Sequence, residues 1–150
     1  MKIEEEIKQT VPFKTEQHKL IINLMFTGKW ISDRIYQDLK AFGLTPQQFN
    51  VLRILRGQNK KPVSVNLIAG RMIDRMSNVS RLVDKLKAKG LVSRLPSKMD
   101  KRQVDILISN KGMKLLSDID NSDLNMINGF DTLTDAEAKK LNELLDKVRG

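Results

Sequence analysis

The spacing of apolar residues changes period twice along this chain, and that order of periods leaves few folds open. Up to Gly90 they recur at steps of three, four and seven, the spacing of one helical face. From Leu91 to Ile108 they alternate at period two, as one face of a strand does, and beyond Ser109 the helical period returns. A long first helix is predicted from about Glu16 to Phe42 on Leu20, Leu24, Ile31, Ile35, Leu39 and Phe42, with Gly43 as its stop. The second start is explicit: Thr45, Pro46 and Gln48 fit N-cap, first-turn proline and capping-box glutamine, and Leu44 and Phe49 are spaced as a hydrophobic staple. A helix is expected over Pro46 to Arg56.

Ser64 is the expected cap of a short third helix with Leu67, Ile68 and Met72 inward and Ala69 small enough for close helix contact. Ser77 is the expected cap of a fourth, carrying Val79, Leu82, Val83 and Leu86 and ending at Gly90. Leu91 to Leu95 and Val104 to Ile108 then read as two strands around the polar tip Pro96 to Arg102. Ser109 caps a fifth helix with Leu115, Leu116, Ile119 and Ile127, and Thr134 with Glu137 forms a capping box before Leu141, Leu144, Leu145 and Val148. The predicted class is mainly α (α+β). Two helices joined by a link as short as Ile73 to Met76 make a helix-turn-helix, and the hairpin after them makes it a winged one.

Charge singles out the same region. The 150 residues carry a formal net charge of +9, and the segment from Arg53 to Lys114 holds 16 Lys plus Arg against only Asp74, Asp84, Asp100 and Asp105, a net +12. The rest of the chain is slightly acidic, so the basicity belongs to one region and a polyanion is its natural partner. There is no cysteine, which removes disulfides, thiolate metal sites and thiol chemistry. His18 is the only histidine, and no glycine-rich phosphate loop or metal-ligand cluster accompanies it, so catalytic residues, cofactor and metal are all expected to be none. Glu4, Glu5 and Glu6 stand where a secretory signal would be basic, and no run approaches the roughly 20 apolar residues that cross a bilayer. The expectation is a cytoplasmic protein with no membrane partner.

On the fourth helix, 100° steps place Val79, Leu82, Val83 and Leu86 on one side and Ser77, Arg81, Asp84 and Lys85 on the other, with Asn78 and Ser80 at the flanks. Ser77, Asn78, Ser80, Arg81 and Lys85 suit a major groove, where arginine pairs with guanine edges, asparagine with adenine, and serine with bases or phosphates. Lys98, Lys101 and Arg102 at the hairpin tip suit backbone or minor-groove contact. The same basic surface would also serve a non-specific architectural DNA-binding protein, which neutralises phosphates without reading bases. RNA is less favoured, because no aromatic residues interleave with the basic ones.

Leu91-Val92-Ser93-Arg94, Asp100-Lys101-Arg102 and Ile108-Ser109-Asn110-Lys111-Gly112 together resemble the MarR family of bacterial transcriptional regulators, whose pattern is L-V-x-R, D-x-R, L-T-x-x-G. Ser77 to Leu86 resembles that family's recognition helix. Ile108 and Ser109 depart from the pattern while keeping an apolar strand residue and a hydroxyl cap. The resemblance implies a homodimer formed by residues 1–43 and 113–150, with residues 44–112 as winged helix-turn-helix lobes on a pseudo-palindromic operator in double-stranded DNA. It further implies that Arg102 enters the minor groove, that Asp100 holds the wing, and that a small aromatic or phenolic ligand releases a repressor from DNA. Phe26, Trp30 and Tyr36 are the candidate lining of that ligand's pocket, with plain core packing as the favoured reading of the same aromatics.

Overall fold

The computed structural model describes residues 1–122 and 132–150. By backbone proximity the chain divides into two units, Met1–Pro46 and Gln47–Gly150. The first unit contains α1 (Ile3–Glu6) and α2 (Glu16–Lys40). Thr15 caps α2, its hydroxyl accepting from the His18 backbone N–H at 3.1 Å. At the other end Leu44 N–H donates to the Leu39 carbonyl, and Gly43 takes φ +66°, the left-handed turn that lets the chain leave the helix. α1 went unpredicted from sequence, because four residues are too few to show a period. It is held to α2 by an ion pair between Glu4 and Lys19 at 2.6 Å. That hydrogen bond lowers the Glu4 pKa and raises that of Lys19.

The second unit runs α3 (Pro46–Arg56, whose first residue closes the first unit), β1 (Val63–Ser64), α4 (Val65–Arg71), α5 (Val79–Ala88), β2 (Val92–Pro96), β3 (Val104–Ile108), α6 (Asn110–Asp120) and α7 (Asp135–Arg149). β3 lies between β1 and β2 in an antiparallel sheet of three strands, with Val63 opposite Ile106 and Arg94 opposite Ile106 on the other edge. The core holds Ile68, Met72, Val83, Leu86, Ile106 and Leu116, which the helical and strand periods picked out, together with Leu52 and Leu55 of α3, and all are essentially inaccessible. Ala69, expected at a close helix contact, faces solvent instead, and the predicted apolar residues Leu20, Leu141, Leu144 and Val148 are exposed as well. The predicted Ile127 lies outside the described residues.

Caps define most of the helix starts. Ser64 Oγ accepts from Leu67 N–H at 3.2 Å, and Ser109 Oγ accepts from Gly112 N–H at 3.0 Å. The Thr134–Glu137 box is complete in both directions, and the Thr134 backbone N–H holds the Glu137 carboxyl below the usual carboxylate range. The expected cap of α5 is corrected by one residue. Asn78 caps it, its Oδ1 accepting from Arg81 N–H at 3.1 Å, because Asn78 is the last residue with extended backbone.

Gly112 supplies a test of the packing. A Cβ there would stand 2.4 Å from the Leu91 carbonyl oxygen and 2.8 Å from Ile108 Cγ1, too close for either to remain in place. Gly112→Ala is therefore expected to lower stability by about 1–3 kcal/mol, the usual cost of overpacking. Urea unfolding checks this, and a midpoint equal to the parent's would contradict it.

Candidate nucleic-acid interface

α5 is fixed by its buried side. Val79, Val83 and Leu86 are buried and Leu82 is half-buried, so the helix cannot rotate about its axis without exposing them. The opposite face is thereby set outward. Arg81 and Lys85 lie there, bordering a cleft of about 360 Å³ with Gln47, Asp74, Ser77 and Asn78. Neither Arg81 nor Lys85 forms an ion pair among the described residues.

The other members of the predicted set are placed differently from one another. Ser80 is exposed and borders a separate cleft of about 450 Å³ with Ser64, Asn66, Arg94 and Gln103. Asn78 has committed its Oδ1 to the helix cap, leaving its amide N–H₂ as the group it can offer a ligand. The Ser77 hydroxyl oxygen is buried with no hydrogen-bond partner among the described residues. Asp84, on the outward face, pairs with Arg94 of β2 at 2.5 Å and so ties that face to the sheet. Sequence reasoning had not singled out Arg94 for this role, since the spacing between them shows no periodic relation. Upstream of α5, Asn50 Oδ1 accepts from Ile73 N–H at 2.9 Å, holding the turn between α4 and α5 against α3.

The wing is a self-contained turn. Ser97 N–H donates to the Gln103 carbonyl at 3.1 Å, and Gln103 N–H to the Asp100 carbonyl at 2.9 Å. Arg102 N–H donates to Asp100 Oδ1 at 2.9 Å, and Met99 N–H to Ser97 Oγ at 3.3 Å. Asp100 thus spends its carboxylate on the backbone. Lys98, Lys101 and Arg102 are exposed around it, without an ion pair among the described residues. A basic helix face beside a preformed basic turn can neutralise phosphates, and its arginines can hydrogen-bond base edges.

The MarR family model matches residues 44–104, from two residues before α3 to the first residue of β3. Over that segment the chain is similar to the MarR family. It is 28% identical to the HTH-type transcriptional regulator MgrA of Staphylococcus aureus over 142 residues, 89% of this chain and 92% of that one. Its fold is similar to that of a MarR point mutant from E. coli complexed with operator DNA, at TM-score 0.77 and 23% identity over 92% of this chain and 99% of that one. It also resembles a BpsR structure from Bordetella bronchiseptica, at TM-score 0.75 and 22% identity over 88% and 99% of the two chains.

The predicted ligand aromatics separate in this chain. Phe26 and Trp30 line one cleft of about 190 Å³ with Met1, Ile3, Asn23 and Thr27. Tyr36 is exposed and is not part of that lining. Arg34 lies 5.6 Å from the Trp30 ring centroid, a cation–π distance. Phe26 and Trp30 are 36% and 43% exposed, so neither is core within the chain as described. Among the described residues no group of three or more His, Cys, Asp or Glu could hold a metal ion, and no helix is long and apolar enough to cross a membrane.

Asp100 gives the interface a local test. Asp100→Ala removes the acceptor for Arg102 N–H, a loss of about 0.5–1.5 kcal/mol confined to the turn. Hydrogen exchange at the Arg102 amide is expected to quicken while the thermal midpoint stays within a degree or two, since the tip contributes nothing to the core. Unchanged exchange at that amide would contradict the turn as described.

Proposed function

We propose that this protein is a homodimeric, sequence-selective regulator of transcription that binds double-stranded DNA in the cytoplasm and leaves it when a small aromatic ligand binds. The observation that carries the reading is the buried side of α5, which commits Arg81 and Lys85 to the outward face of a helix followed by a wing bearing Lys98, Lys101 and Arg102. On this reading α5 enters the major groove with Arg81 on a base edge, and Asn78 and Ser80 contact bases or phosphates from its first turn. Arg102 enters the minor groove while Asp100 shapes the turn that presents it. Residues 44–112 form the DNA-reading lobe, and 1–43 with 113–150 join two chains.

Pairing of two chains is supported by apolar surface that one chain leaves in water. On α7, Leu141, Leu144 and Val148 are 45%, 48% and 60% exposed, and none of that helix's residues is buried. On α2, Ile21 and Met25 are exposed as well. Release by a ligand is supported by the similarity to BpsR, whose DNA binding is regulated by 6-hydroxynicotinic acid. The cleft at Phe26 and Trp30 is the place we assign to it. A ligand that prefers the form unable to bind DNA by about 2.7 kcal/mol weakens operator binding about 100-fold.

The test is to select DNA fragments with the purified protein and compare the preferred sequence with unrelated duplex. Arg81→Ala is expected to cost roughly 1–3 kcal/mol on the preferred site and to relax base choice at one position per half-site. Equal losses on preferred and unrelated duplex would overturn base reading by Arg81. Equal affinity of the parent protein for both would make it an architectural DNA-binding protein instead.

A further inference from the structure

Three large apolar side chains of Gln47–Gly150 stand almost wholly in water: Ile73 at 88% exposure, Met76 at 92% and Met99 at 96%. The next most exposed large apolar side chain among that unit's described residues is Val148, at 60%. A single exposed apolar residue is ordinary on any protein surface. Ile73 and Met76 lie in the link that leads into α5, and Met99 lies at the wing tip. Both loops flank the basic surface.

Met99 is the most constrained of the three in its backbone. Ser97, itself buried at 7% exposure, takes the Met99 N–H on its hydroxyl, and the three further hydrogen bonds of the turn close around residues 97–103. The backbone is held while the side chain projects into solvent, among Lys98, Lys101 and Arg102. Charged residues at a solvated turn need no explanation, but a methionine held outward at the centre of a basic turn does. The minor groove offers such a side chain the C–H walls of the deoxyribose rings, and apolar side chains are used there by proteins that bind it. An unbranched thioether arm adapts to that surface with little demand on shape.

We propose that Met99 is a DNA contact of the wing, packing its thioether arm against the deoxyribose wall of the minor groove that Arg102 enters. This rests on the DNA-binding reading above. The contact displaces no counterion and touches no base edge, so it adds affinity without salt dependence and without base preference.

The experiment measures binding of the full chain to its selected operator by fluorescence anisotropy across a salt series, for the parent, Met99→Gln, Met99→Leu and Arg102→Ala. Met99→Gln keeps the length and replaces the apolar end with an amide. It is expected to weaken binding about three- to tenfold with the salt slope unchanged, while Met99→Leu stays within about twofold of the parent. Arg102→Ala is expected to weaken binding and to lower the slope by about one for each phosphate that Arg102 neutralises in the parent complex. If Met99→Gln binds as tightly as the parent while Arg102→Ala is weak, the Met99 contact is overturned and the wing reading stands. If neither change matters, the wing does not touch DNA and both fall. A changed salt slope for Met99→Gln would also overturn the proposal, since an apolar contact releases no ions.

Discussion

The end of α5, the start of β2, the end of β3 and the start of α6 all meet at Ser109. Its hydroxyl donates to the Gly90 carbonyl at 2.7 Å and accepts from Gly112 N–H, while its own N–H donates to the Leu91 carbonyl at 3.0 Å. Lys111 Nζ adds a bond to the Lys89 carbonyl at 2.9 Å, and Gly112 lies against Leu91 where any larger residue would collide. One side chain therefore fixes the exit of α5 and the root of the wing at once. The Arg94–Asp84 ion pair repeats the link further along, from β2 to the outward face of α5. On the proposed reading, in which helix and turn fit two grooves together, such a shared anchor is needed, because an error of an ångström at the root is carried to the tip.

What was legible in the sequence follows from how far each signal reaches. Short-range chemistry showed well: Ser64, Ser109 and the Thr134–Glu137 box cap the helices expected of them, and α3 has the predicted bounds. Elements too short to carry a period did not show. β1 is two residues long, and it is a strand only because β3 supplies the partner for Val63 and Ser64. At Ser77 and Asn78 two cap-forming residues stand side by side, and the backbone, extended at Asn78, decides between them. The Arg94–Asp84 pair and the exposure of Ala69 depend on how elements pack, which no local pattern records. The site was legible as a basic face and a basic turn, whereas the spending of Asn78 and Asp100 on backbone hydrogen bonds was not.

The ends of the chain pose a different energetic problem from the lobe. Fully buried Leu and Val side chains are each worth on the order of 1.5–3 kcal/mol, and no side chain of α7 is fully buried within one chain as described, Leu145 being half-buried. Its caps contribute about 1 kcal/mol each at most ordinary sites, too little to hold a helix of 15 residues by themselves. An apolar stripe of that kind is completed by a partner surface, and a second copy presenting its own stripe completes it symmetrically. Symmetry in the protein then requires symmetry in the DNA. Two recognition helices related by a twofold axis can occupy successive major grooves only if their spacing matches one helical turn, about 34–36 Å.

Hydroxyl-radical footprinting of the full chain on its selected operator tests this account most directly. The account predicts two equivalent protected patches related by a twofold axis, their centres about 10–10.5 base pairs apart, with additional minor-groove protection beside each from the wing. A single protected patch, or uniform protection without a centre of symmetry, would contradict it.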